Sequence, residues 1–151
     1  RTSGIYVEDE NIELKALKII ETNLGSTAHV NVTSYNRNVL LTGEAPSLEA
    51  KSKAETMIKT ITNIRGITNE IVVGEKSTIS SRSNDAYLTT KVKTQFVTEN
   101  KFSANYVKVI TENNVVYLLG IVTKSEADAA TEIASNTSGV RKVVKLFEYQ
   151  P

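Results

Sequence analysis

The chain has 151 residues, room for one ordinary domain or two small ones, and a formal net charge of +1. Hydrophobic residues make up 40% and charged residues 23%, a globular mixture, and so small a net charge excludes a global field that would gather nucleic acid. There is no cysteine, which excludes disulfides and thiolate chemistry, and no apolar run approaches the ~20 residues of a membrane-spanning helix.

In chain order, the spacing of Ile12, Leu17, Ile20 and Leu24 predicts a first helix over about Asp9–Leu24. The acidic group Glu8-Asp9-Glu10, with Glu13, falls at its start, where carboxylates stabilise exposed amides. Alternating apolar residues on either side of an Asn-rich turn then predict a β-hairpin ending near Gly43. Pro46-Ser47 opens a second helix, with Ala50, Ala54, Met57, Ile58 and Ile61 as its stripe and Asn63 suited to a left-handed close. A β-rich run containing Ile64 and Ile67 follows.

The same order then recurs. GEKSTISSRSN reads as a Ser-rich linker, assigned to 75–84. DAYLTTKVKTQF begins a helix over about Asp85–Glu99 whose residues Leu88, Val92 and Phe96 point inward. Val107-Lys108-Val109 matches Val30-Asn31-Val32, and Gly120 stands as far after Val107 as Gly43 after Val30. Thr123 and Glu126 have capping-box spacing, Ala127, Ala130, Ile133, Ala134 and Thr137 follow at helical intervals, and Gly139 closes the helix before Val140 and Val143. Two α-β-β-α-β units result, an α+β class, over residues 1–74 and 85–151. Each is expected to hold a three-stranded mixed sheet packed by two helices, with the crossover making its last two strands parallel.

Little in this pattern points to catalysis. His29 is the only histidine and lacks partners at triad or zinc spacing. Gly43 and Gly120 are single glycines, which fit close approach or turns better than a phosphate cradle. No G-x-S-x-G elbow occurs. Neither a basic stripe nor a GxxG loop supports RNA binding. The expectation is a non-enzyme with no metal, no cofactor, no small-molecule substrate and no nucleic-acid partner. Tyr87 raises a sharper question. It stands in line with Lys91 on a helix flank, with Lys93 farther round and Thr94 on the same side. Such a flank is either solvated surface or a contact with a headgroup layer.

The paired units, each with Gly43 or Gly120 before a helix and a V/I-x-x-V/I strand after it, resemble BON domains. DAYLTTKVKTQF and VKVITENNVVYLLG extend the likeness to the dual-BON outer-membrane lipoproteins, over about Asp9–Tyr149. The resemblance implies a lipoprotein on the periplasmic face of the outer membrane, needed for envelope integrity and associated with the division site. It places the signal peptide and anchor cysteine outside this chain. It also implies binding to anionic phospholipid, phosphatidylglycerol or cardiolipin, through the first helix of the second domain. On this sequence that assigns lipid contact to Tyr87, Leu88, Lys91, Val92, Lys93, Thr94 and Gln95, with Tyr87 where the family carries a tryptophan. The rival expectation is a protein-interaction module in which the same flank docks an envelope protein. The first domain carries Glu10, Glu13 and Glu21 with Lys15 and Lys18 on its first helix, and is expected to be structural or protein-binding.

Overall fold

The computed structural model describes residues 1–151. The chain divides into two compact units, Arg1–Ser77 and Thr78–Pro151.

In the first unit, helix α1 (Ser3–Leu24) precedes an antiparallel hairpin of β1 (His29–Tyr35) and β2 (Asn38–Ala45). Helix α2 (Leu48–Ile58) then crosses over to β3 (Gly66–Asn69) and β4 (Val72–Val73). Both pair in parallel with β2, so the third position of the sheet is one broken strand interrupted between Asn69 and Val72. Ile71 fills that break and is buried. Ile12, Ala16 and Ile20 of α1 meet Ala54 and Ile58 of α2 and Val39, Leu41 and Ala45 of β2 in a single core.

The second unit repeats the plan with helix α3 (Ile79–Glu99), the β5 (Val107–Glu112) and β6 (Val115–Val122) hairpin, helix α4 (Lys124–Ser135) and β7 (Lys142–Tyr149). Here the parallel pairing of β6 with β7 is unbroken. Val92 and Phe96 of α3, Ala127, Ala130, Ile133 and Ala134 of α4, and Val116, Leu118 and Val122 of β6 form its core. Phe96 meets Phe102 edge-on at 5.0 Å between ring centroids. The expected α+β class, mixed sheets and parallel last strands are therefore present, and Ser47 and the Thr123–Glu126 capping box start α2 and α4 as read.

Several boundaries differ from the sequence reading. Helix α1 begins at Ser3, six residues before Asp9, capped by Thr2. Likewise α3 begins at Ile79, capped by Thr78, so most of the expected linker is helix and only a short connector remains. Serine-rich composition reads as a linker, but a threonine hydroxyl accepting the Ser81 amide at 3.0 Å is enough to start the turn. The positive-φ residues Asn63 and Gly139 lie in the turns after α2 and α4, a few residues beyond the helix ends.

The largest departure concerns Asp9. It lies in the second turn of α1, buried, where no free helix amide remains for it to stabilise. Its carboxylate instead grips the β1–β2 turn. Asn36 and Arg37 both have positive φ, the two-residue I′ geometry, and their amides donate to Asp9 Oδ2 and Oδ1 at 2.8 Å each. Asp85 does the same for the β5–β6 turn, accepting from the Asn113 and Asn114 amides at 2.8 and 3.0 Å. Each unit thus ties its first helix to its hairpin through one buried carboxylate. Gly43 and Gly120 sit where a side chain has no room: a Cβ at Gly43 would lie 1.9 Å from the His29 carbonyl oxygen, and one at Gly120 would lie 2.4 Å from that of Tyr106.

Candidate functional site

Leu88, Val92 and Phe96 of α3 are nearly or wholly buried, and that stripe fixes how the rest of the helix faces. At about 100° per residue, Tyr87, Thr90, Thr94 and Val97 share the opposite, outward stripe. Lys91 and Lys93 flank it on either side, and Gln95 lies one turn beyond Lys91 on its flank. Tyr87 is 62% exposed and Val97 66% exposed. Leu88 and Val92 therefore have no surface to offer a ligand: they are the inner supports of the helix, which corrects their placement among contact residues. Tyr87, Lys93, Thr94 and Gln95 are exposed, while Lys91 is half-buried.

Lys91 is the residue whose setting the sequence did not show. Its ammonium donates to the Ser138 carbonyl oxygen at 3.0 Å, in the turn after α4. It also stands 5.7 Å from the centroid of the Tyr87 ring, within cation–π range. The pairing of a tyrosine with a lysine one turn on was visible in the sequence, but the carbonyl 47 residues away was not.

In the first unit, two polar groupings stand apart from this flank. Asp9 collects, besides the turn amides, the Ser34 hydroxyl and the Arg1 guanidinium, each at 2.8 Å. Burial acts to raise its pKa. The donations from Arg37, Ser34, Arg1 and Asn36 outweigh burial and hold the carboxyl below its ordinary value. Arg1 is packed between the Tyr6 and Tyr35 rings, 3.8 and 4.2 Å from their centroids. His29, which lacks partners at triad or zinc spacing in the sequence, has two in this unit: Glu44 Oε1 at 3.3 Å and Ser77 Oγ at 3.2 Å, both on Nδ1. Ser77 also donates its amide to Glu44. A nucleophilic triad needs hydroxyl and carboxylate on opposite ring nitrogens. Here both meet the same nitrogen, so the group is built to hold Ser77 against the sheet.

The BON domain family model matches residues 8–75 and 84–151, one match to each α-β-β-α-β unit. The chain belongs to the BON family. Its two BON domains are similar over 151 residues, at 40% identity, to the outer membrane lipoprotein DolP of Haemophilus influenzae, spanning 99% of this chain and 78% of that protein. A 21 kDa hemolysin of Actinobacillus pleuropneumoniae is 37% identical over the same shares of the two chains. The osmotically-inducible protein Y of Escherichia coli is 25% identical over 93% of this chain and 72% of its own length. This BON protein is thus of the dual-domain DolP type, and its place is the outer membrane. No helix is long and apolar enough to cross a membrane.

Proposed function

We propose that this protein is a non-enzymatic lipoprotein on the periplasmic face of the outer membrane. In this reading it binds anionic phospholipid through the outward face of α3, supporting envelope integrity and acting at the division site. The observation that carries this is Tyr87, a large amphipathic ring left 62% exposed on a helix whose inner stripe is fully packed. A tyrosine ring is at home at headgroup depth, with its apolar body in the acyl boundary and its hydroxyl in water. Lys91 and Lys93 on the two flanks put cations at the level of the phosphates. Each lysine near an anionic surface contributes roughly 1 kcal/mol, which makes the attachment weak, reversible and sensitive to salt. That strength suits a second signal that supplements an acyl anchor. The envelope and division roles follow the DolP-type resemblance.

The test is co-sedimentation of the whole chain with vesicles. Binding should be detectable with phosphatidylglycerol or cardiolipin and much weaker with phosphatidylcholine alone. Tyr87→Glu should cut binding several-fold while the circular dichroism spectrum stays unchanged, because a charge then stands where the ring enters. Equal binding to neutral and anionic vesicles would overturn the electrostatic part. A folded Tyr87→Glu variant that binds like the parent would move the lipid site off this helix flank.

A further inference from the structure

We infer that the lipid site has two walls, α3 and the 136–139 turn, and that Lys91 joins them and holds its ammonium in place as the seat for a lipid phosphodiester. This rests on the phospholipid reading above and adds to it a positioning residue and a second element. An ammonium has three N–H donors and no acceptor. One is committed to the Ser138 carbonyl, and the Tyr87 ring stands beside the same nitrogen. The side chain is half-buried, so part of its water has already been removed, while Tyr87, Ser138 and Gly139 are exposed around it. A carbonyl does not neutralise the charge. The result is a fixed, partly dehydrated cation with donors left over, next to the ring that enters the bilayer. Lys93 carries the same charge but is exposed and has no such seat, so its attraction is diffuse.

The first domain shows what the corner looks like without this arrangement. The repeat places Asn11, Lys15 and Thr62 where the second domain has Tyr87, Lys91 and Ser138. Lys15 is exposed, and the corner remains an open groove of about 330 Å³ bordered by Val7, Glu8, Asn11, Lys15, Thr62 and Asn63. A lysine at this position therefore does not close onto the turn by itself. Asparagine gives it no ring face to lie against, whereas Tyr87 does.

The experiment compares Lys91→Gln with Lys93→Gln in the whole chain, since each removes one positive charge from the same helix. Lys93→Gln should lower partition into phosphatidylglycerol vesicles about fivefold, the loss of one surface charge. Lys91→Gln should lower it at least severalfold further, and Lys91→Arg should restore most of the loss. In the wild-type protein, bicelles containing phosphatidylglycerol should shift the amide resonances of Ser138 and Gly139 together with those of α3. Soluble glycerol phosphate at matched concentration should leave them in place. Equal losses for the two glutamine variants, or a turn that stays silent while α3 responds, would overturn the two-walled site and leave the phospholipid reading standing. Equal shifts with glycerol phosphate would assign the seat to a free phosphate and overturn the lipid assignment. A wild-type chain that ignores anionic vesicles would overturn both.

Discussion

Asp9 satisfies four donors with two oxygens, from Arg1, Ser34, Asn36 and Arg37. A carboxylate this enclosed is stable only because each lone pair is engaged. Asparagine is nearly the same shape but turns an N–H toward amides that already donate, and leaves the Arg1 guanidinium without its counter-charge. Asp9→Asn should therefore cost about 2–3 kcal/mol of stability at neutral pH, read from urea unfolding. The pH dependence has a definite sign. Donor contacts hold the folded carboxyl below its ordinary value, so its stabilisation is complete above the unfolded value of about 3.9 and is lost as pH falls through the lower, folded one. The gap between wild type and Asp9→Asn should be constant near neutrality and close in strong acid. At the other carboxylate, Asp85→Ala leaves two turn amides without an acceptor, and a loss of about 2 kcal/mol is expected. Neither role could be read from apolar periodicity, which registers only apolar positions. The signal was in the repeat, where Asp9 and Asp85 take the same place in successive copies and face Asn-rich turns.

Helix α3 separates two tasks by face, so substitutions on it should separate two measurements. Phe96→Ala removes a fully buried ring along with its edge-on contact to Phe102, and should cost about 3–5 kcal/mol in thermal or urea unfolding. Tyr87→Ala removes an exposed ring and should change stability by less than about 0.5 kcal/mol, while lowering vesicle binding. The inward stripe was legible because four-residue spacing needs no partner to be recognised. The start of α3 was not, because serine and threonine favour caps and loops alike, and only the Thr78–Ser81 hydrogen bond decides between them. Lys91 was legible as a cation on a flank, but its bond to the turn depends on how α4 packs. Tertiary placement of that kind leaves no periodic trace. The interruption between β3 and β4 was likewise hidden: no Gly or Pro marks it, and a lone asparagine shows itself as a breaker only in the fold, where Asn69 Oδ1 accepts the Ile71 amide at 3.2 Å.

For the whole chain, a net charge of +1 means that attraction to an anionic surface comes from where the cations stand, not from how many there are. Residues 1–76 hold 9 Lys/Arg against 10 Asp/Glu, and residues 77–151 hold 9 against 7, so only the second half leans cationic. Raising salt from about 0.01 M to 0.15 M shortens the Debye length from about 30 to 8 Å, and vesicle binding should fall by about tenfold without vanishing. Complete loss would mean that charge alone holds the protein to the bilayer, with no contribution from the Tyr87 ring. The two domains share their fold but differ in their surfaces, and the aspartate clamps explain how that can be. Each carboxylate grips main-chain amides, so it holds Asn36-Arg37 and Asn113-Asn114 alike, and a turn side chain adds only a local bond such as that from Ser81 Oγ to Asn113 Oδ1 at 3.2 Å. Such an anchor is indifferent to what evolves around it. One unit therefore carries an aromatic-basic flank and the other an acidic, grooved one, on hairpins of the same register.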